Sequence, residues 1–535
     1  MRKLFAVSFL FLGIQSSVIG QGGGGTVTLG PELKDIKYGF LDQIIGVDDN
    51  GFYASRLAMV RRGLLFSREF TLESYNLNME KTNSVPLDIN SKEKRVIHNN
   101  EFMLTLNNKL YSFDSKMDLN TKLNTLKLNE INKSTLGYNG DEKNLAEMSF
   151  EDQSRYNVGS FKHSLSLDSS KLLVAFELPF EKGQPEKFGF KVFDDNLEEL
   201  WNYEIELPYN DDLFDFMSFE VSNEGKVYLL GKIYEDVRLE RKKGEINYNY
   251  HLFIYSKEKK FETEIKLDSK GKILNEIFLT INNTNQVSCI GLYANELKKP
   301  SVGSYSIQID SKTQKVLSEN FKEFKEIDEV VEVSDESEEK SDKKKEREEK
   351  VKYRNYDLRQ INHKKDGGMI LVAEQYYLEI VTKTTTNGSG GTSTSTSYHY
   401  HYDNILVLNI DKNGNFIWQK IIKKNQETIN DDGRYSSFAL GLKDENLVFI
   451  YNTTEFNKKK NGEDSRFYKK NNFYKNLSIV TLDKKGNLSE KVNVLDRVES
   501  KVVICPKKAE QISKNQLIIF GVGKKTNRFG MLTLD

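Results

Sequence analysis

Residues 405–422 read ILVLNIDKNGNFIWQKII: an alternating strand, Ile405–Ile410, a turn, Asp411-Lys-Asn-Gly414, and a second strand, Phe416–Ile422. An Asp at the head of such a turn bonds its own backbone two residues on, and the Gly supplies the positive φ of a tight reversal, so the two strands must fold back on each other. Comparable punctuation stands at Asp48–Gly51, Asp194–Asn196, Asn223–Gly225, Asp268–Gly271 and Asp483–Gly486. Between these turns lie short apolar runs rich in β-branched and aromatic residues: Phe52–Leu57, Phe102–Leu106, Leu172–Phe176, Val227–Leu230, Val287–Leu292, Met369–Ala373, Leu447–Tyr451 and Leu517–Val522. Runs of this kind suit strands buried on both faces. Their recurrence at intervals of about 50–80 residues marks units that bury their faces only against neighbours.

The expected fold is therefore all-β, a single β-propeller over residues 26–535. Eight apolar runs predict eight blades, with seven as the alternative if the divergent first two units are one. The chain ends on a strand, Arg528–Leu534, with no partner after it, while Thr26–Leu29 stands alone at the other end. Pairing the two would complete the last blade and close the ring, leaving no open edge.

Two segments interrupt the pattern. Residues 325–350 are dense in Glu, Asp and Lys and predict a disordered insertion, because so little apolar surface cannot repay ordering. Residues 384–397, built of Thr, Gly and Ser, predict a long loop between two strands of one unit.

The N-terminus carries an address. Arg2 and Lys3 precede the apolar Leu4–Ile14, polar Gln15-Ser16-Ser17 follows, and Val18-Ile19-Gly20 suits a cut. Residues 1–20 thus predict a cleaved signal peptide and residues 21–25 a flexible tether, placing the mature chain in the periplasm or on the outer cell surface. No later stretch approaches the ~20 apolar residues of a membrane helix, so no transmembrane segment is expected in the mature chain. With 78 Lys plus Arg against 79 Asp plus Glu, no global field invites nucleic acid. Cys289 and Cys505 sit in apolar runs of different units, which predicts free buried thiols rather than a disulfide.

Chemistry is sparsely written. His399 and His401, in Tyr398-His-Tyr-His-Tyr402, project to one face of a strand with the tyrosines on the other. Two imidazoles begin a metal site but do not complete one, and an exposed aromatic strand is the plainer reading. Arg56, Arg61, Arg62 and Arg68 form the densest arginine cluster, suited to docking an acidic partner, although a solvated hairpin face is the plainer reading. The Asp411–Gly414 turn lacks the sixth-position Gly and twelfth-position Glu of a calcium loop, and Phe520–Thr526 lacks the spacing of a phosphate loop. No cofactor or metal is predicted, and no catalytic residue can be assigned.

Ser164–Phe176, SLSLDSSKLLVAF, resembles the Ser-x-Asp-x-x-x-Leu pattern of TolB-like, WD40-like propeller repeats. With Phe188–Trp201 and Asp403–Trp418, the chain as a whole resembles uncharacterised secreted β-propeller proteins of Bacteroidota. That resemblance implies fold and address and no activity. The functional expectation is a non-catalytic propeller binding an envelope protein or glycan. The alternative is an extracellular polysaccharide hydrolase or lyase with an acid/base pair in the central channel.

Overall fold

The computed structural model describes residues 19–535 apart from 23, 35–38, 63–64, 88–94, 151–156, 180–182, 243–244, 325–355, 387–390, 454–475 and 490. Almost all regular structure is strand. Among the described residues, eight antiparallel sheets of four or more strands follow one another in chain order, with one small extra ribbon, Arg241–Lys242 with Glu245–Ile246. The first sheet spans Gly39–Leu87, the second Val96–Ser149, the third Ser160–Asn210, the fourth Phe214–Leu267, the fifth Ile273–Glu323, the sixth Tyr356–Ile429 and the seventh Ala439–Asp496. Each apolar run but one forms the second strand of its sheet; Phe102–Leu106 instead ends the first strand of the second sheet, whose second strand is Lys109–Asp118.

The eighth sheet joins the two ends of the chain. Gly25–Leu29 pairs antiparallel with Thr526–Leu534, from Gly25 opposite Leu534 to Leu29 opposite Gly530, and Val27 is fully buried there. This strand order, four antiparallel strands per sheet with an N-terminal strand completing the last, is that of an eight-bladed β-propeller. The expected tether is a correction: Gln21 and Gly22 pair in a hairpin with Thr26 and Gly25, so these residues belong to the blade. Residues 1–18 and the charged insertion lie outside the described residues.

By contacts the chain divides into two compact units, Phe40–Ser74 with Asn83–Gly433, and Met1–Gly39 with Tyr75–Thr82 and Arg434–Asp535. Within each, neighbouring sheets stack face to face. In the larger unit Tyr228, Leu252 and Ile254 of the fourth sheet share a core with Leu279, Cys289 and Ile307 of the fifth. In the smaller unit Ile450 and Ile479 of the seventh sheet pack on Val27, Ile519 and Leu532 of the eighth. Sandwiched this way, central strands such as Val227–Tyr234 and Val287–Ala294 are buried at every position, which is why they lose the polar alternation of a half-exposed strand. Close approach also selects residues: a Cβ on Gly291 would lie 1.9 Å from the Glu276 carbonyl oxygen, where the first strand of the fifth sheet bulges toward it.

The turns behave as their sequences require. The Asp411 carboxylate accepts from the N–H groups of Asn413 and Asn415, both at 2.8 Å, and Gly414 sits at φ +84°. Both cysteines are buried thiols outside any disulfide. No helix among the described residues is long and apolar enough to cross a membrane.

Candidate binding hairpin and its buried ionic support

The sixth sheet departs from the others. Its second and third strands, Met369–Thr386 and Thr392–Ile410, run 18 and 19 residues, against 7 or 8 for its first and fourth, Tyr356–His363 and Phe416–Ile422. Their inner halves are buried in the blade, while residues 378–386 and 392–398 are largely exposed. The segment expected as a Gly/Ser/Thr loop at 384–397 is thus a correction: apart from the undescribed 387–390 and the residue after them, it is strand, paired from Val381 opposite Ser397 to Thr386 opposite Thr392. Threonine is β-branched, and the alternation Thr392-Ser-Thr-Ser-Thr396 is a strand period that its low complexity disguised.

Register assigns the faces. One carries Tyr376 with Tyr402, Leu378 with Tyr400, Ile380 with Tyr398, then the threonine pairs Thr382 with Thr396 and Thr384 with Thr394, hydroxyls 3.3 and 3.4 Å apart. On it Ile380 is 59% exposed and Tyr398 43%. The other face carries Tyr377 with His401, Glu379 with His399 and Val381 with Ser397. The expected split of histidines from tyrosines therefore holds. Each imidazole has a carboxylate of its own: His399 Nδ1 lies 3.0 Å from Glu427 Oε1, and His401 Nε2 lies 3.5 Å from Glu379 Oε2 while its ring stacks on Tyr377 at 4.0 Å. Among the described residues no three His, Cys, Asp or Glu groups are placed to hold one metal ion.

Where the hairpin leaves the blade, a bulge between Glu374 and Tyr376 coincides with a buried ionic network. Lys424 Nζ lies 2.8 Å from Glu374 Oε1 and donates to the Tyr402 carbonyl at 2.9 Å and to Gln426 Oε1 at 2.8 Å. Arg359 Nε donates to Glu374 Oε2 at 3.1 Å, and its guanidinium lies over the rings of Tyr376 and Tyr402. Glu374 and the Lys424 side chain are essentially sealed from solvent. Burial pulls the Lys424 ammonium below its ordinary range, against the opposing charge of Glu374. Sequence reading missed this network. Glu374, directly after the apolar Met369–Ala373, was its one visible sign, and its partner Lys424 is distant in sequence.

Glu276, on the first strand of the fifth sheet, accepts from the Leu358 N–H. Burial, reinforced by Asp357, pushes it up to about 7, and Asp357 is itself raised by burial. Glu220, bonded by Ser164 Oγ at 2.7 Å, is also pushed up to about 7 by burial. Two shallow crevices, one at Ser304, Phe324 and Trp418 and one at Asn452, Leu495 and Arg497, enclose no more than about 10 Å³ each, far from the ~300 Å³ at which small-molecule pockets begin.

The arginine cluster dissolves as a docking patch at its first member. Arg56 is buried and ion-paired with Glu73, also buried, and so cannot present its guanidinium to a partner. The side chains of Arg61, Arg62 and Arg68 lie outside the described residues.

No protein-family model matches the chain, and no curated protein does. Among solved structures it is similar to a mutant of Synechocystis apocarotenoid oxygenase, at 10% identity and TM-score 0.35 over 90% of this chain and 91% of that one. It is also similar to a protein of unknown function from Dyadobacter fermentans, at 9% identity and TM-score 0.27 over 70% and 94% of the two chains. A third is Pyrococcus horikoshii acylaminoacyl peptidase, at 10% identity and TM-score 0.31 over 77% and 57%.

Proposed function

We propose that this chain is a non-catalytic propeller, exported to the periplasm or outer cell surface, that binds an envelope protein or glycan through the long hairpin of its sixth sheet. The observation that supports the reading is the exposed hairpin face of Leu378, Ile380 and Tyr398, beside the half-buried Tyr400, on a ribbon rooted in a buried ionic network. Recognition elements raised on rigid scaffolds take this form. Aromatic and aliphatic groups on a flat ribbon suit a protein surface or the apolar face of a sugar ring. The test is crosslinked capture from the native envelope, and glycan-array binding, with wild type and the doubly substituted Ile380→Asp, Tyr398→Ala chain. A stoichiometric partner or glycan lost in the variant supports the reading; equal capture by both overturns it. Intact mass of the exported chain should show a cut after Gly20.

A second reading, a polysaccharide hydrolase or lyase, draws on Glu276, whose carboxyl is poised near neutrality beside Asp357. Turnover of an extracellular polysaccharide that disappears in Glu276→Gln would establish it in place of the first.

A further inference from the structure

The hairpin has a second feature that its faces do not explain. The first strand of the sixth sheet pairs with Met369–Thr386 only from Tyr356 opposite Gln375 to His363 opposite Met369. Beyond Tyr377 no described strand pairs with the outer edge of that strand, and residues 380–386 project as a two-stranded ribbon, since His399 and Tyr400, opposite Glu379 and Leu378, are paired on their far side with Ile429 and Thr428. Such an edge exposes a row of N–H and C=O groups, and proteins blunt it with proline, dense charge, bulges or a covering element. Among the described residues none stands on 378–386, LEIV-rich and Thr-rich with only Glu379 and Lys383 charged. Two-stranded ribbons are also marginal in water, and a third or fourth strand is what makes them stable.

The two charges say which strand would fit. They stand four residues apart with Val381 midway and lie on one face of the ribbon. When a strand pairs antiparallel with a copy of itself about a two-fold axis, the residue k positions before the centre lies opposite the residue k positions after it. With Val381 at the centre, Glu379 of each copy faces Lys383 of the other, giving two cross-strand ion pairs on the same face. Ile380 then meets Thr382, a good strand pair. Centres at Ile380 or Thr382 leave both charges opposite uncharged residues. Glu379, 3.5 Å from His401, is still half exposed and available.

We infer that the protein self-associates through this edge: two copies pair antiparallel along residues 378–384 about Val381, making a four-stranded sheet from two hairpins. The association uses the edge of the ribbon, leaving the face of Ile380 and Tyr398 for a different partner, so it stands independently of the proposed function.

Sedimentation equilibrium of the full chain tests it by charge reversal. Glu379→Lys or Lys383→Glu alone places like charges opposite each other twice and should weaken the dimer by about tenfold or more. The double variant Glu379→Lys, Lys383→Glu restores both pairs and should return the wild-type constant. The register is read separately by cysteine. Cross-strand Cα separations of about 4.5–5.5 Å suit a disulfide, so oxidised Val381→Cys should run as a covalent dimer, whereas Thr384→Cys, opposite Leu378, should not. A wild-type chain that is monomeric throughout, a double variant as weak as the singles, or equal crosslinking by both cysteines would each overturn the inference. Capture of the partner by monomeric Glu379→Lys separates the two proposals, since loss of the dimer leaves the ribbon face intact.

Discussion

The buried ion pair beneath the hairpin makes the sharpest stability prediction. Replacing Lys424 with Met keeps most of the side-chain volume and removes the ammonium that lies 2.8 Å from Glu374 and 2.8–2.9 Å from two neutral acceptors, Gln426 and the Tyr402 carbonyl. Glu374, with no exposed surface, keeps Arg359 at 3.1 Å but loses its closer cation. Removing one partner of such a pair costs about 3–5 kcal/mol, because the remaining charge stays desolvated. Substituting both, Lys424→Met with Glu374→Leu, removes the charges together and should cost far less than the single change, since apolar replacements of buried pairs are often neutral or better. Urea unfolding followed by fluorescence, with Trp418 on the fourth strand of the same sheet as reporter, measures both. The sign of the pH effect follows from the lowered Lys424 pKa. Between the folded pKa and the unfolded value near 10.5, the unfolded chain binds more protons, so stability rises with pH through that window, and Lys424→Met should flatten the rise. A single substitution costing less than about 1 kcal/mol, or a double costing as much as the single, would refute the reasoning.

Gly291→Ala drives a Cβ into the Glu276 carbonyl oxygen and should destabilise by about 3 kcal/mol or more, read as a shifted urea midpoint. Glu220 is held near 7 in the fold against 4.5 when free, so the fold favours its protonated form and stability should fall as pH rises from 4.5 through 7; Glu220→Gln should raise the melting temperature at pH 8 and leave it unchanged at pH 4. Deleting Gly25–Leu29 exposes the edge of Thr526–Leu534 and removes the buried Val27 and Leu29; hydrogen exchange in Thr526–Leu534 should become fast, and its persistence at wild-type protection would show that another strand fills the place.

Much of this fold was open to reading without coordinates. Each unit repeats a signal of the same physical origin, an apolar run buried on both faces and an Asp/Gly turn whose backbone needs are local, and local needs are written in adjacent residues. The unpaired strand at each end of the chain was likewise visible, because an orphan strand must find a partner. The reading of residues 384–397 went astray for a physical reason too: composition outweighed the period-2 alternation of Thr and Ser, and only cross-strand pairing made that alternation count.

The candidate site was less legible because its parts are joined by distance in space. His399 and His401 were seen as one face of a strand, and they are, but the carboxylates Glu427 and Glu379 that hold them come from the neighbouring strands. Arg56 read as a surface cation and is buried, since only the packed fold could supply Glu73. Lys424 and Glu374 read as nothing, because a lysine in a run of lysines and a glutamate after a strand acquire meaning only when the sheet seals both from water. By itself, then, the sequence determined the strand class, the turns and the joining of the chain ends, all of which follow from period, turn chemistry and unsatisfied edges, while the choice of eight sheets over seven fell to the structure. The tertiary structure decided which charges are buried and paired, and which strands run on past the core into solvent, because those outcomes depend on what packs against what.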